Sequence, residues 1–207
     1  MGLFSNPPPI NDDLPSDESV QKTLELRVQD GAGVPHALGS LLKGNERTIL
    51  VFIRHHHCGA CMSYVTTLSE NETFKQTTEQ SKTKVIVIGH GSFEGIEWYK
   101  KNAESSFEMY VDESKKVHEA LGFNNRYLGK PQDAKPDYFK GKSMGQVTMV
   151  SVKRALFSGG LALKGGDIAL LGGEMVLDKD LHCLFVHRMR DTQDHTPADK
   201  LAEYVIV

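Results

Sequence analysis

The sequence predicts one mixed α/β domain, and two apolar segments and a hairpin pattern carry that prediction. RTILVFIR (47–54) and KVIVIG (84–89) are runs of β-branched and aliphatic residues, as is typical of strands buried on both faces. Helix-like segments alternate with such strands, which favours a largely parallel sheet flanked by helices. GEMVLD (173–178) and LHCLFVH (181–187) predict a final hairpin that adds antiparallel strands.

The residues before the first apolar strand predict an arm followed by the start of the domain. Residues 1–22 contain a run of three prolines and an Asp/Ser/Glu cluster with little to bury, so we expect a flexible N-terminal arm. The single domain would then extend over residues 23–207. Residues 23–30 alternate apolar and polar side chains like a half-buried strand, and residues 36–42 suit a short helix or a loop.

The remaining elements follow from helical spacing and from turn residues. Met62, Val65 and Leu68 recur every three residues and predict a helix from Gly59 to about residue 80. Residues 123–167 are rich in Gly, Pro, Lys and Asn and predict an insertion before the final hairpin. The other predicted elements are helix 92–103, strand 107–112, helix 114–122, a helix-compatible piece at 143–157 and a last helix over 195–205.

Charge and hydropathy indicate which classes of partner the sequence gives no reason to expect. The 24 basic and 27 acidic residues give a net charge of −3, so the total charge offers no reason to expect DNA, RNA or an anionic membrane. No apolar run approaches the ~20 residues that cross a bilayer, and no signal peptide is recognisable. With three cysteines and no export signal, we expect a cytoplasmic protein, in which a close cysteine pair is more often catalytic or metal-binding than structural.

Cys58 and Cys61 lie where the buried strand gives way to the predicted helix. The first N–H groups of a helix are unpaired and its dipole is positive there, so both stabilise a thiolate at Cys58. Cys61 lies one turn later on the same face and can reach Cys58. The spacing predicts a dithiol/disulfide cycle in which Cys58 attacks and Cys61 closes the disulfide. The alternative is that Cys58 and Cys61 are buried thiols without a redox role.

A metal site is the rival use of the same cysteines. His55, His56 and His57 precede Cys58, and imidazole with thiolate suits zinc or copper. Alternation along the strand end points His55 and His57 one way and His56 the other, so the three do not converge. Cys183 has the neighbours of a core strand residue. We therefore predict no metal, with Zn/Cu binding or redox sensing without catalysis as the alternative function.

Two neighbours of Cys58 are candidates for tuning its thiolate or binding substrate. Arg54 ends the strand, where its charge would stabilise a thiolate or steer substrate, although a surface ion pair is the commoner role. His57 is adjacent to Cys58 and would help to stabilise its charge. The alternative is that one of the three histidines packs at the strand end and the others lie in solvent.

VFIRHHHCGACMSYV (51–65) resembles the active-site segment of peroxiredoxin-like proteins of the alkyl hydroperoxide reductase/thiol-specific antioxidant type. Within that group it is most similar to proteins related to prostamide/prostaglandin F synthase and its thioredoxin-like relatives in eukaryotes. The likeness continues through VIVIGHGSFEGIEWY, MYVDESKKVHEALG, the glycine-rich run 165–173 and FVHRMRDTQDH. The resemblance implies a thioredoxin-like fold with Cys58 as attacking and Cys61 as resolving cysteine.

The chain departs from that family's pattern around the attacking cysteine. Typical peroxiredoxins place a Pro seven and a Thr three residues earlier, where this chain has Val51 and His55. The Arg that they place before a later strand corresponds to Gly172. Because these groups hold the peroxide, their absence argues against an efficient peroxidase. Thioredoxins have a cis-Pro where this chain has Gly172 and Gly173, which would let substrate approach the backbone or would serve a tight turn.

The predicted function is that of a thiol–disulfide oxidoreductase that uses the CxxC pair. The resemblance implies that it reduces a peroxide, a lipid endoperoxide or a disulfide. It also implies an external thiol reductant, such as thioredoxin or glutathione, and no bound cofactor. Specificity is expected from the insertion at 123–167, since long loops on rigid scaffolds often carry it.

Overall fold

The computed structural model, which describes Phe4, residues 6–129 and residues 136–206, contains a seven-stranded mixed sheet with helices on both faces. Residues 1–3 and 5 of the predicted arm, residues 130–135 of the predicted insertion and residue 207 lie outside the described residues. The strands are β1 Arg27–Gln29, β2 Pro35–Ala37, β3 Arg47–Phe52, β4 Thr83–Gly89, β5 Glu108–Val111, β6 Gly173–Asp178 and β7 Cys183–Arg188. The helices are α1 Asp17–Thr23, α2 Leu38–Leu42, α3 Gly59–Glu70, α4 Glu72–Gln80, α5 Ile96–Asn102, α6 Lys116–Ala120, α7 Met144–Phe157 and α8 Ala198–Glu203. Three 3₁₀ turns span Phe93–Gly95, Asp137–Phe139 and Gly159–Lys164.

The sheet has the strand order β2-β1-β5-β4-β3-β6-β7. β3 runs parallel to β4, and β4 runs parallel to β5, whereas β6, β7, β1 and β2 pair antiparallel with their neighbours. Val51 of the central strand pairs with Val87 on one side and Glu174 on the other. The predicted mixed α/β fold with a final hairpin is confirmed.

The apolar run of β3 is buried because both faces of the sheet are covered. Ile49 and Val51 face a cluster formed with α3, α4, α5 and α8. Leu50 and Phe52 face the opposite cluster, formed with α1, α2 and α6. Alternating side chains of one strand thus enter two separate cores, which is why the strand lacks an apolar–polar alternation.

Three element predictions are corrected. The helix expected over 59–80 is two helices, because the side chain of Asn71 accepts from the N–H of Phe74 and so starts α4. The segment at 36–42 begins with β2, whose backbone pairs with β1, before the short helix α2. The strand expected over 23–30 is shorter, Arg27–Gln29, because α1 extends to Thr23.

The N-terminal segment packs on the domain, which corrects the expectation that residues 1–22 bury little. Ser16 caps α1, and Val20 on that helix is buried. Upstream of α1, Asp12 accepts from the backbone N–H of Arg188, whose guanidinium donates to the carbonyl oxygen of Asn11. Within the described residues, no helix has the length and apolar character that crossing a bilayer requires.

Candidate redox site

Cys58 occupies the capping position at the start of α3. The chain leaves β3 at Phe52 and turns so that the N–H of Cys58 donates to the carbonyl of His55. The extended backbone of Cys58 lets its Sγ accept from the backbone N–H of Cys61 at 3.3 Å. The sulfur therefore lies at the positive end of a 12-residue helix, as the sequence predicts.

Cys58 and Cys61 are brought together as free thiols. Their sulfurs are 2.8 Å apart, with the thiol of Cys61 donating to Cys58. Both residues are buried, at 3% and 0% exposure. The structure therefore contains the reduced pair. The sulfur of Cys58 accepts hydrogen bonds from Arg54, from the N–H of Cys61 and from the thiol of Cys61.

Arg54 is the third group at the site, and it is buried rather than a surface residue. Its Nη1 lies 3.4 Å from Sγ of Cys58, and its Nη2 donates to the carbonyl oxygen of Ile168 at 2.6 Å. Among the described residues no carboxylate pairs with this guanidinium. A buried cation without a counter-charge is costly, so the geometry makes the Cys58 thiolate the anion that Arg54 faces.

The pKa values of the two cysteines move in opposite directions. Burial raises the pKa of Cys58, but the hydrogen bond from the Cys61 thiol, the charge of Arg54 and the Cys61 N–H together lower it to about 5. Burial raises the pKa of Cys61 well above its ordinary value, and the hydrogen bond and charge of Cys58 add to this. At neutral pH the pair therefore holds one proton, on Cys61.

The three histidines before Cys58 lie in a turn beyond the end of β3, where strand alternation does not apply, and His56 and His57 contact different partners. Nε2 of His56 lies 3.0 Å from the carbonyl oxygen of Ser92, and Nε2 of His57 lies 3.0 Å from the hydroxyl of Ser158. Both rings are buried and His55 is half-buried, which corrects the alternative that two of them lie in solvent. Burial lowers the pKa of all three, to about 4 for His56.

The neutral histidines change the expected role of His57. Because its pKa lies below the ordinary value, its ring is uncharged at neutral pH and holds Ser158, while Arg54 provides the positive charge at Cys58. Among the described residues, one group of side chains has donor atoms close enough together to hold a metal ion. It consists of Asp178, Asp180 and His182 at the hairpin turn, and it includes neither Cys58 nor Cys61.

The two glycines that the sequence singles out are explained by backbone packing. A Cβ on Gly172 would lie 1.8 Å from the carbonyl oxygen of Phe52, and one on Gly173, which has φ +151°, would lie 2.0 Å from that of His187. No side chain fits at either position, so these glycines let β6 approach both neighbouring strands. Cys183 is buried on β7, where burial raises its pKa to about 11.

Helix α7 packs against the start of α3, beside the cysteine pair. The N–H of Gly59 donates to the hydroxyl of Ser151 at 2.9 Å, and a Cβ on Gly59 would lie 2.2 Å from that oxygen. Beside this contact a cavity of about 190 Å³ is lined in part by Gly59, Met62, Val147 and Arg154. The sequence predicts a helical piece here but gives no signal that it lies beside the cysteine pair, because the contact joins residues about 90 positions apart.

The sequence also gives no signal for a buried pair formed by Glu174 and His195, which packs against α3. Nδ1 of His195 lies 2.6 Å from Oε1 of Glu174, whose other oxygen accepts from the N–H and hydroxyl of Thr196. The ring of His195 stacks on Tyr64 of α3 with 4.2 Å between centroids. The pair fixes the start of α8 against the helix that carries both cysteines.

Comparisons with known proteins agree with this fold. Residues 70–191 match the family model described as "AhpC/TSA antioxidant enzyme", a match that begins after the cysteine pair. Peroxiredoxin-like 2C of Bos taurus is 30% identical over 185 residues, covering 87% of this chain and 77% of that protein. The bacterioferritin comigratory protein of Xanthomonas campestris superposes with a TM-score of 0.59 at 9% identity, covering 95% of this chain and 97% of the other.

A second solved structure gives the same result. Peroxidoxin BcpB of Mycobacterium tuberculosis has a TM-score of 0.56 at 12% identity, covering 98% of this chain and 96% of the other. At such low identity these two structures support the fold, whereas the family model and the Bos taurus relative establish the family. The chain therefore belongs to the AhpC/TSA antioxidant enzyme family, as a peroxiredoxin-like protein of thioredoxin fold.

Proposed function

We propose that the protein is a thiol peroxidase-like oxidoreductase in which Cys58 attacks the substrate and Cys61 resolves the product. The observation that carries this proposal is the buried guanidinium of Arg54, which faces Sγ of Cys58 and no described carboxylate. Membership of the AhpC/TSA family supports it. The Xanthomonas protein of similar fold is described for its alkyl peroxide reduction activity.

The first step oxidises Cys58. Its thiolate attacks one oxygen of a peroxide ROOH, the O–O bond breaks, and the sulfur gains a hydroxyl group to become a sulfenic acid. The departing RO⁻ takes a proton from solvent and leaves as ROH. Arg54 stabilises the thiolate before the attack. Its N–H donors would also stabilise the negative charge that develops on the departing oxygen of the peroxide. In other peroxiredoxins an arginine before a later strand has this role. In this chain Arg54, just after the end of β3, would take that role.

The second step forms the disulfide. Cys61 loses its proton, attacks the sulfenic sulfur and displaces hydroxide, which leaves as water. The 2.8 Å separation of the sulfurs requires little movement of α3 for this bond to form. An external thiol reductant, such as thioredoxin or glutathione, then returns two electrons and two protons to the pair. The chemistry requires no bound cofactor.

The substrate must reach a buried sulfur, since Cys58 is 3% exposed. The cavity beside Gly59 is lined by apolar groups such as Met62 and Val147 and by polar groups such as Ser63, Thr66 and Glu70. A lipid hydroperoxide or endoperoxide, which carries apolar and polar groups together, has partners of both kinds in that lining. A disulfide substrate is the other member of the predicted class.

The test is a stoichiometric reaction of the reduced protein with cumene hydroperoxide and with hydrogen peroxide. We expect two thiols lost per peroxide in the wild type, none beyond background in Cys58→Ser, and a sulfenic acid trapped by dimedone in Cys61→Ser. Cys183→Ser is the matched control and should behave as wild type. Equal peroxide consumption by wild type and Cys58→Ser would refute the proposal. Reduction of a model disulfide without reaction with peroxide would restrict the function to disulfide exchange.

A further inference from the structure

Helix α7 has a polar face that is turned toward the cysteine pair. Val147, Ser151, Arg154 and Ser158 recur at i, i+4, i+7 and i+11, so they line one side of the helix. Ser151 accepts from Gly59, Arg154 contacts the sulfur of Met62, and Ser158 binds His57. This side fixes α7 to the domain.

The opposite side of α7 is apolar and exposed. Met149, Val152 and Leu156 recur at i, i+3 and i+7 and are 72%, 54% and 76% exposed. Phe157 lies next to this stripe at 81% exposure, and Leu163 in the following 3₁₀ turn is 97% exposed. A surface helix normally turns its polar side outward, so an outward apolar face indicates a binding surface. We call these five residues the outer face.

The charge around the outer face differs from that of the whole chain. Residues 138–166 contain five basic and no acidic residues, in a protein whose net charge is −3. Lys140 pairs with Glu70 and Lys164 pairs with Glu94, and Arg154 lies on the inner side of α7 against Met62. Lys142 and Lys153 are exposed and form no ion pair with any described carboxylate. The basic residues are Lys140, Lys142, Lys153, Arg154 and Lys164.

We propose that the outer face of α7 binds the surface of a bilayer that contains anionic lipids. An apolar stripe with Leu and Phe, flanked by Lys, on a helix of 14 residues is the composition of an interfacial helix that lies in the membrane plane. The apolar side chains enter the headgroup region, and the basic side chains meet the lipid phosphates and carboxylates.

Other occupants fit these residues less well. In a two-fold dimer the same patch meets itself, so the exposed Lys142 and Lys153 of one copy would face those of the other, and neither has a described carboxylate paired to it. Nucleic acid would pair with the basic residues but would leave Leu156, Phe157 and Leu163 without a partner. A bilayer surface satisfies both the apolar and the basic residues, and this inference holds whether or not Cys58 reacts with peroxide.

The test is sedimentation of the full chain with vesicles of phosphatidylcholine alone and with vesicles that contain about 30 mol% phosphatidylserine. We expect wild type to pellet with the anionic vesicles at low salt and to be released by high salt, since surface charge attraction is screened. Leu156→Ser/Phe157→Ser should lower the partition coefficient about tenfold or more, because it removes two inserted apolar groups. Lys142→Glu/Lys153→Glu should lower it to a similar extent on anionic vesicles only.

Val34→Ser is the matched control, since Val34 is 49% exposed on the distant turn before β2, and it should pellet as wild type does. Leu163→Ser, at a position outside any helix of the site, repeats the test if the double variant does not fold. The proposal is overturned if wild type fails to pellet with anionic vesicles, or if the outer-face variants pellet as well as wild type. Self-association of wild type that Phe157→Ser abolishes, without vesicle binding, would overturn it in favour of a second copy.

Discussion

Nη1 of Arg54 lies 3.4 Å from Sγ of Cys58, and the same guanidinium is fixed from its other side by the carbonyl oxygen of Ile168. Arg54 and Cys58 are four positions apart along the chain, and a tight turn after β3 brings them together. A guanidinium that is buried beside sulfur favours the thiolate over the thiol. We therefore expect the reactivity of Cys58 to depend on Arg54, which lies in the same turn between β3 and α3.

Removing this charge should raise the pKa of Cys58. We expect Arg54→Met to shift the pKa of Cys58 upward from about 5 by about 1 to 3 units, the range for a lost charge partner at this distance. The pH dependence of the thiolate ultraviolet absorbance and of alkylation by iodoacetamide measures this shift. Arg27→Met, at an exposed position on β1, is the control and should leave the midpoint unchanged. An unchanged midpoint in Arg54→Met would show that the Cys61 thiol and the helix start set the pKa of Cys58 without Arg54.

The lowered pKa of Cys58 also predicts how stability depends on pH. The folded value, about 5, lies below the ordinary value of 9.0, so the thiolate stabilises the folded state most at high pH. That contribution is lost as pH falls through about 5. The difference in free energy of unfolding between wild type and Cys58→Ser should therefore rise between pH 5 and 8, by at most about 1.4 kcal/mol per pH unit.

Urea unfolding of the reduced proteins at several pH values measures this difference. Cys183→Ser is the control, because burial raises the pKa of Cys183 to about 11 and its thiol stays protonated throughout this range. Its difference from wild type should not vary with pH. A flat difference for Cys58→Ser as well would mean that Cys58 is a thiol in the folded protein.

Contact between Gly59 and α7 should control access to Cys58. A methyl group in Gly59→Ala would lie 2.2 Å from the Ser151 hydroxyl and 2.9 Å from the carbonyl oxygen of Val147, so α7 must shift away. We expect Cys58 to be alkylated several times faster, measured by mass spectrometry at neutral pH. Gly160→Ala is the matched control, since a Cβ there meets no atom within 4 Å. Equal rates in both variants would show that α7 does not limit access.

The buried pair of Glu174 and His195 should contribute strongly to stability. Glu174→Ala removes the acceptor for His195 and for two donors of Thr196, all within the interior. Breaking a buried pair from one side costs about 3 to 5 kcal/mol, so we expect a loss of that size in urea unfolding. Glu203→Ala at an exposed position on α8 should change stability by less than about 0.5 kcal/mol. A similarly small loss in Glu174→Ala would mean that water replaces the carboxylate.

The strands and the position of the cysteine pair could be predicted because their signals are local. The apolar runs of β3 and β4 require burial on both faces, and the residue types at the start of α3 place Cys58 at a helix end. The continuous helix expected over 59–80 was wrong for a local reason too. Asn71 can continue a helix or cap the next one, and the periodicity does not distinguish the two.

What could not be predicted depends on contacts between distant residues. The sequence suggests a surface charge at Arg54, whereas the fold buries it beside Cys58 and the carbonyl of Ile168. The total charge of −3 gives no reason to expect binding to an anionic membrane. That total does not show how charge is distributed, because the charged residues within 138–166 are all basic. Net charge describes the whole molecule, whereas a binding surface depends on which residues share one face.

Both sulfurs are buried, so a reagent meets the thiolate of Cys58 only when the structure around it opens. If α7 controls that opening, the observed rate constant is the intrinsic one multiplied by the fraction of time for which the site is open. A small peroxide needs a smaller opening than a bulky alkylating agent does. The two reagents would therefore report different apparent reactivities for Cys58. Anything that holds α7 elsewhere, a bilayer included, would then change the apparent reactivity of Cys58 without touching its pKa.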